Sequence, residues 1–350
     1  AMLAGLSWQE TAVYVDDVLV YTKDFESHVR ALDAVLTRLA QGGFVAAPAK
    51  CRLFEREVPY LGYRLSAKGI AMDPDYLARV RAKMVQFSRK DDIRTFMGAV
   101  QFYSRFVWAC AELLAPMADA LKKEIRDDLS NLSDQERAAL NKAAVAVLAA
   151  MESGPVLALP NFDKEFVLTT DASNVALGAA LCQEADDGTL RPICLWSRKL
   201  TATERNYSAT EREALAIIYF VDKFKYYLLG RRFLLRTDHR ALVHILRGAA
   251  SNSKLARWAL RLQEFNFDVA YIKGRENVLA DSMSRARRTV VCTFGFAEDQ
   301  GAGDRAILVA AALSGRRGLD VLVRGLPKGR QGPPPAIRGA APSAARYASV

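Results

Sequence analysis

Four acidic side chains stand in contexts that would bring them to one point above a β-sheet. Asp171 ends the β-rich run FVLTT, and Asp238 ends the similar run FLLRT. Glu213 lies in a long apolar helical stretch, and Asp281 falls early in a short helical one. Acids gathered in this way repel one another unless cations join them, and two Mg²⁺ ions about 3.5–4 Å apart are the usual solution in phosphodiester chemistry. The four acids therefore predict a metal-dependent nuclease.

The elements around these acids predict the sheet that positions them. Three β-rich runs separated by turn-like segments indicate an antiparallel meander at residues 166–171, 176–183 and 193–199. Helices and strands then alternate: helices are predicted at 208–229, 240–246, 253–265 and 278–285, and strands at 233–237 and 267–272. Strands followed by this alternation imply a mixed sheet with helices on its faces. Asn277 is expected to cap the last helix, where the helix dipole favours an ionised Asp281.

The long helix offers two acids, and its pattern alone leaves the choice open. Glu211 and Glu213 differ by about 200° around a helix, so they cannot both face one point. The helix is apolar on several sides, so its apolar face does not select one of them. His239 follows Asp238 and, in a continuing strand, would point to the opposite face.

The first half of the chain predicts a hairpin followed by helices. Residues 12–22 form two short β-rich runs around Asp16 and Asp17, and 27–42 form an amphipathic helix that should pack under this hairpin. Short strands are expected over 44–70, and helices over 91–123, where Asp91 or Asp92 is the expected cap and Pro116 opens the final helix. Ser133 and Glu136 predict a capping box for the next helix. Helical spacing predicts a core role for the aromatic residues 102, 103, 106 and 108, with base stacking as the alternative.

The length, cysteine content and charge of the chain limit the classes of protein to which it can belong. A chain of 350 residues can bury a sizeable core and is expected to hold two or three domains. It has no apolar run of 18 residues and no signal-like N-terminus, which predicts an intracellular protein, in a cytoplasmic particle or the nucleus, without a membrane partner. Its five cysteines form no C-x-x-C pair, which argues against a zinc site. Of its net charge of +10, residues 286–350 contribute +6, so charge alone does not identify a nucleic-acid enzyme.

Ordered sequence blocks carry a specific resemblance. FVLTTDAS, GAALCQ, PICLWSRKL, ERNYSATEREALAIIYFVDKFKYYLLGRRF, LRTDHRAL and GRENVLADSMSR resemble the ribonuclease H domain of gypsy-type (Ty3/gypsy, LTR) retrotransposon polyproteins. Upstream, YVDD with KCRLF and YLGYRLSAKGI resembles the end of the reverse transcriptase domain that precedes it. The resemblance covers roughly residues 10 to 285. In this family the helical Glu precedes a small-apolar-Ala-Ile run, which selects Glu213 over Glu211.

The resemblance implies a multidomain α+β and α/β fold. Residues 1–74 would be a truncated polymerase palm, and 75–153 a helical thumb and connection. Residues 154–285 would be an RNase H-like domain, with a mixed five-stranded sheet flanked by helices. Residues 286–350 read as a disordered basic tail rich in Gly, Pro, Ala and Arg, with a short helix near 306–313.

The implied activity is hydrolysis of the RNA strand of an RNA–DNA hybrid by two Mg²⁺ ions, with Mn²⁺ as a substitute. Asp171 would bridge both ions, Glu213 and Asp238 would bind one, and Asp281 the other. Asp16 and Asp17 match the metal-binding acids at the primer end of a reverse transcriptase. Polymerisation also needs fingers and an earlier palm Asp, and only 13 residues precede Tyr14, so no DNA synthesis is expected from this chain alone.

Basic residues suggest how RNA and DNA would be held. Lys254, Arg257 and Arg261 fall within about 60° of arc on their predicted helix, as a phosphate-binding stripe or a solvated face. Lys50 is a second candidate phosphate contact, with a plain surface lysine as the alternative. The competing hypothesis is a catalytically inactive nucleic-acid-binding remnant, and a third is reverse transcription in a complex whose other chain supplies the fingers. The oligomeric state stays open.

Overall fold

A computed structural model describes residues 10–82, 87–122, 127–246, 253–285 and 307–312. They form two compact units, one of residues 10–68 with 307–312 and one of residues 69–285. The predicted connection and nuclease segments thus share one unit. The predicted disordered tail, apart from 307–312, lies outside the described residues. Within these ranges, none of the helices combines the length and the apolar run needed to cross a bilayer.

The first unit begins with the predicted hairpin. Strands β1 (Thr11–Tyr14) and β2 (Asp17–Thr22) pair antiparallel, so that Tyr14 faces Asp17 across the turn. Helix α1 (Phe25–Gln41) starts at Asp24, whose carboxylate accepts the Ser27 amide hydrogen at 2.8 Å. The helix ends at Gly42 as predicted, because Gly43 adopts a φ of +74°. Its apolar face packs under the hairpin, as predicted, in a cluster of Val18, Val20, Ala31, Val35 and Leu39.

A strand from the C-terminal region completes the hairpin sheet. Strand β3 (Arg52–Glu55) and strand β12 (Ile307–Ala312) join β1 and β2 in the order β1-β2-β12-β3, with β12 antiparallel to both neighbours. The short helix predicted near 306–313 is therefore wrong. A six-residue apolar run has no periodicity that separates helix from strand, and the edges of β2 and β3 offer it backbone partners on both sides. A separate hairpin follows β3, made of β4 (Glu57–Tyr60) and β5 (Tyr63–Ser66).

The second unit opens with a strand and a set of helices. They are β6 (Gly69–Met72), α2 (Pro74–Ala82), α3 (Lys90–Phe102), α4 (Cys110–Leu113), α5 (Ala115–Lys122) and α6 (Asp134–Glu152). The predicted capping box of α6 is confirmed, because Glu136 N–H donates to Ser133 Oγ at 3.3 Å and Ser133 N–H donates to Glu136 Oε2 at 3.0 Å.

The predicted helical stretch from 91 to 123 is broken, and its predicted cap is wrong. Arg89 occupies the N-cap position of α3, while Asp92, in the first turn, accepts the amide hydrogens of Ser88 and Arg89. The chain turns at Tyr103, and Ala109 takes a left-handed φ of +47° before α4. Tyr103 and Phe106 are fully buried, as core residues, whereas Phe102 is 46% exposed.

The remaining elements build the predicted mixed sheet. The strands are β7 (Phe166–Ala172), β8 (Ala176–Glu184), β9 (Leu190–Lys199), β10 (Arg232–Thr237) and β11 (Asn266–Tyr271). The helices are α7 (Ala202–Arg205), α8 (Ala209–Lys223), α9 (Lys225–Leu228), α10 (Arg240–Leu246), α11 (Ser253–Leu262) and α12 (Val278–Ser284). The strand order is β11-β10-β7-β8-β9, in which β10 runs parallel to β7 and β11 while β7, β8 and β9 are antiparallel. Strand β7 is therefore central and its side chains are buried.

The outer edge of β9 is covered by the segments that precede the sheet in sequence. The Ala158 amide hydrogen bonds to the Pro192 carbonyl at 2.8 Å, and the Arg105 guanidinium donates to the Ile193 carbonyl at 3.3 Å. The Ala111 amide donates to Ser197 Oγ at 2.9 Å. These contacts satisfy polar groups that an edge strand would otherwise present to solvent.

Candidate active site

Asp171 stands near the end of the central strand, where its carboxylate meets groups from two helices. Only 2% of its surface is exposed. Ser284 Oγ on α12 donates a hydrogen bond to Asp171 Oδ2. Among the described residues this hydroxyl is the one hydrogen-bond donor to the Asp171 carboxylate. Such a buried carboxylate is poorly compensated, because the removal of a charge from water is costly unless partners replace the water.

Glu213 reaches the same point from α8. It is 8% exposed, and Oε1 accepts the Ala172 amide hydrogen at 3.2 Å. Its other oxygen, Oε2, is buried and makes no hydrogen bond within the described chain. An orphaned buried carboxylate oxygen needs another partner, and a cation is the partner that suits a negative charge.

Glu211 faces another way and has a structural role. It sits in the capping box of α8, where it accepts the Ser208 amide hydrogen at 2.9 Å, and it pairs with Lys254 at 3.1 Å. These contacts hold the pKa of Glu211 below its ordinary value, the Ser208 amide being the largest cause. The choice of Glu213 over Glu211, made from the resemblance, agrees with this geometry.

Asp238 completes a group of three acids. It follows β10, the parallel neighbour of β7, and parallel strands end at the same edge of a sheet. One carboxylate oxygen from each of Asp171, Glu213 and Asp238 lies within 4.8 Å of the other two. Gly274 passes close by, since a Cβ at that position would lie 3.2 Å from Asp238 Oδ2.

Asp281 lies beside this group and is not a member of it. It stands in the first turn of α12, and its Oδ1 lies 3.3 Å from Arg285 Nε. Its charge adds to the raised pKa of Asp171, so it lies within electrostatic reach. Asn277 occupies the predicted N-cap position of α12, but its side chain makes no capping bond. Its amide group instead donates to the Thr170 carbonyl at 3.1 Å, which fastens the start of α12 to the central strand.

Burial and mutual repulsion disfavour the ionised forms of Asp171 and Glu213. Burial raises the pKa of Asp171, with the hydrogen bond from Ser284 and the charge of Arg285 opposing the shift. Burial, followed by the charges of Asp171 and Asp238, raises the pKa of Glu213 to about 9. The donor set is all carboxylate oxygen, which suits a hard divalent cation such as Mg²⁺. These residues therefore fit a divalent cation.

The other predicted site residues lie elsewhere. Asp16 is exposed in the β1–β2 turn, and Asp17 is half-buried at the start of β2. In the described part of the chain these two aspartates belong to no group of three close acids. Burial is the main cause of the raised pKa of Tyr60, and the charge of Asp17 raises it further.

The predicted phosphate contacts differ in their surroundings. Lys254 forms a salt bridge with Glu211, and its Nζ lies 3.1 Å from the centre of the Tyr207 ring. Arg257, Arg261 and Lys50 are exposed. A role for any of them in nucleic-acid binding stays a prediction.

Two residues at the site were not predicted to act there. Ser284 and Arg285 follow Asp281 by three and four positions, which is one helical turn, and that spacing is the signal that could have found them. His239 is held away from the acids: its Nε2 lies 3.2 Å from Thr210 Oγ1, and its Nδ1 is buried without a partner among the described residues.

Comparison with known proteins places these features in a family. A family model described as "Reverse transcriptase (RNA-dependent DNA polymerase)" matches residues 3–65, and one described as "RNase H-like domain found in reverse transcriptase" matches residues 161–265. The Pol polyprotein of transposon 297 from Drosophila melanogaster is 36% identical over 275 residues, which is 79% of this chain and 25% of the relative. The Tf2-3 polyprotein of Schizosaccharomyces pombe is 33% identical over 276 residues, which is 78% of this chain and 20% of the relative.

Solved structures share the fold. The foamy viral protease-reverse transcriptase in complex with double-stranded DNA matches with a TM-score of 0.68 and 17% identity, over 78% of this chain and 56% of that one. The same viral protein in complex with an RNA/DNA hybrid matches with a TM-score of 0.66 and 18% identity, over 83% and 38%. The chain spans a fifth to a quarter of these curated relatives' length. It is therefore a relative of retrotransposon Pol polyproteins that joins a segment of the reverse transcriptase family to an RNase H-like domain.

Proposed function

We propose that this chain hydrolyses the RNA strand of RNA–DNA hybrids with the help of divalent cations. One observation carries the proposal: Asp171, Glu213 and Asp238 gather within 4.8 Å at the end of the central strand, and Glu213 Oε2 is buried without a partner in the described structure. Such a cluster is costly without a cation, since each buried negative charge raises the proton affinity of the others.

Asp171 would bridge two cations, Glu213 and Asp238 would bind one of them, and Asp281 would bind the other. Mg²⁺ held by these acids would supply an activated water and would stabilise the leaving 3′ oxygen. Mn²⁺, which prefers the same oxygen ligands, would substitute for it.

The protein's own groups prepare the acids for this task. The Ala172 amide fixes one oxygen of Glu213, and the other oxygen is buried without a partner among the described residues. Arg285 pairs with Asp281 at the border of the site, and its charge favours the ionised forms of Asp171 and Glu213. Fixed donors and charges of this kind hold the ligands in place, so little reorganisation is needed when the substrate arrives.

The proposed substrate is inferred from the relatives. Foamy viral protease-reverse transcriptase, which shares the fold, has been solved with an RNA/DNA hybrid and with double-stranded DNA. Exposed Arg257 and Arg261 on α11 are proposed phosphate contacts, because guanidinium groups match phosphate oxygens. Recognition of the RNA strand would rest on its 2′-hydroxyl groups.

The test is cleavage of an end-labelled RNA–DNA hybrid by the full chain in Mg²⁺, beside the Asp171→Asn variant. Asn keeps the size of Asp but removes the charge. We expect cleavage of the hybrid alone, with double-stranded RNA of the same sequence left intact, and its loss in the variant and in EDTA.

Equal background cleavage by both proteins would overturn the proposal. If both proteins still bound the hybrid, the inactive nucleic-acid-binding remnant would be the better hypothesis. The expected lack of DNA synthesis by this chain alone stays a prediction, and primer extension with all four deoxynucleotides checks it.

A further inference from the structure

Ser284 makes a contact that joins α12 to the central strand β7 inside the acid site. It lies at the end of α12 and is fully buried. Its Oγ donates to Asp171 Oδ2, and the Asp281 carbonyl oxygen lies 3.2 Å away as a second acceptor. A hydroxyl has one hydrogen to donate, and a carboxylate is the stronger acceptor, so the bond to Asp171 is favoured.

The close approach of α12 to the sheet makes this contact possible. Gly178 on β8 pairs directly with Asp171 on β7. A Cβ at Gly178 would lie closer than 3.0 Å to backbone atoms of Ala280, Met283 and Ser284. Helix α12 therefore packs directly against the backbone of β8 at Gly178. This packing places Ser284 within hydrogen-bonding distance of Asp171 on β7.

A single fixed donor has a definite effect on an aspartate. The Asp171 carboxylate could otherwise rotate about its Cβ–Cγ bond, a torsion with a broad and shallow profile. The Ser284 hydroxyl fixes Oδ2 in place and thereby fixes the direction in which Oδ1 points. It also leaves further lone pairs on both oxygens, because a carboxylate offers about four acceptor sites.

We propose that Ser284 is a positioning residue that orients the Asp171 carboxylate for cation binding. This inference rests on the proposed function for the identity of the site, and it adds a residue outside the four acids. Outer-shell partners that orient metal ligands are worth 10- to 100-fold in metal affinity or activity when removed.

The experiment measures cation binding directly. Mn²⁺ titration of the full chain, followed by electron paramagnetic resonance of free Mn²⁺, gives a dissociation constant without any need for turnover. Ser284→Ala removes the donor, and Ser284→Cys keeps the size while offering only a weak donor. Ser282→Ala is the matched control, because Ser282 is also buried on α12.

We expect Mn²⁺ binding to weaken about 10-fold or more in both Ser284 variants and to change less than about twofold in Ser282→Ala. Thermal unfolding in EDTA separates this effect from general damage, since a purely structural role would lower the midpoint without changing the affinity of the folded protein. Wild-type affinity in both Ser284 variants would overturn the proposal.

A cleavage assay on the RNA–DNA hybrid distinguishes failure of the proposed function from failure of the positioning role. A wild-type chain that binds Mn²⁺ but leaves the hybrid intact would remove the nuclease assignment, while the loss of Mn²⁺ affinity in the Ser284 variants would still support the positioning role. A wild-type chain without Mn²⁺ affinity would remove both.

Discussion

Glu211 and Glu213 lie two residues apart on α8, and their carboxylates have separate partners. Glu213 accepts the Ala172 amide of the central strand and is buried, whereas Glu211 closes the capping box with Ser208 and pairs with Lys254. Helix α8 therefore uses Glu211 to cap its own N-terminus and places Glu213 beside the central strand. This division permits a matched pair of substitutions.

Replacement of each glutamate by Gln should separate the two roles. Glu213→Gln removes a proposed cation ligand, and we expect hybrid cleavage in Mg²⁺ to fall at least about 100-fold, since even outer-shell partners are worth 10- to 100-fold. Gln can also complete a capping box, so the cleavage rate of Glu211→Gln should stay within a few-fold of the wild-type rate. Initial rates on a labelled hybrid check both. Equal losses in the two variants would contradict the assignment of Glu213.

The stability of the cation-free chain should fall as the pH rises. Glu213 holds its proton in the folded state up to a pKa of about 9, against an ordinary value of 4.5 when unfolded. The folded state binds more protons than the unfolded state between these values, so the free energy of unfolding decreases with pH across that window. Glu213→Gln should flatten this slope and raise the free energy of unfolding near pH 8 by at least about 1 kcal/mol.

Denaturant titrations in EDTA from about pH 5 to about pH 9 measure this slope. Glu211→Gln is the control, because the pKa of Glu211 is lowered and its contribution changes only at more acidic pH. A slope that stays the same in Glu213→Gln would show that other groups set the pH dependence.

Gly178→Ala should detach α12 from the sheet. The new methyl group would meet backbone atoms of Ala280, Met283 and Ser284, which cannot move aside as a flexible side chain can. We expect a loss of about 1–3 kcal/mol in the free energy of unfolding, as for other overpacked sites. Gly98→Ala in the middle of α3 is the control, since a Cβ there meets nothing within 4 Å and Ala favours a helix by about 1 kcal/mol. A neutral Gly178→Ala would contradict the close packing.

Ala310→Pro should disrupt the first unit's sheet. Ala310 pairs with Leu19 on one side and Arg52 on the other, so proline at this position removes a ladder hydrogen bond from a strand with two neighbours. We expect faster hydrogen exchange at the amides of β2 and β3. Ala310→Val keeps the amide and favours a strand, so its exchange should match the wild type. Unchanged protection in Ala310→Pro would show that β12 does not hold the sheet.

Local patterns predicted the parts of the fold that depend on neighbouring residues. The meander, the box at Ser133 and Glu136 and the helix ending at Gly42 follow from residue types within a few positions, which is where turn and cap chemistry acts. Asp171, Asp238 and Asp281 were found because each ends a strand or lies early in a helix, whereas Glu213 was chosen over Glu211 from the resemblance. Their convergence was expected above a mixed sheet, and the structure brings three of them together.

Contacts across long sequence separations could not be predicted in the same way. Ser284 and Asp171 are 113 positions apart. Nothing in the sequence near Ser284 indicates which group will accept the hydrogen bond from its hydroxyl. The Asn277 side chain was expected to cap its helix, but its amide group donates to the Thr170 carbonyl of a distant strand, and its Oδ1 accepts no hydrogen bond from the described residues. Strand β12 was mistaken for a helix because its partners, β2 and β3, are some 250 or more residues earlier.

The covered edge of β9 decides how the RNase H-like domain can be produced as a separate protein. A fragment that began at residue 154 would lack Arg105 and Ala111, and the Ile193 carbonyl and the Ser197 hydroxyl would lose their partners. That strand would then be open to pairing with other molecules, a known route to aggregation. A recombinant form of the RNase H-like domain should therefore start near residue 69, so that its expression yield and solubility depend on helices that precede the five-stranded sheet in sequence.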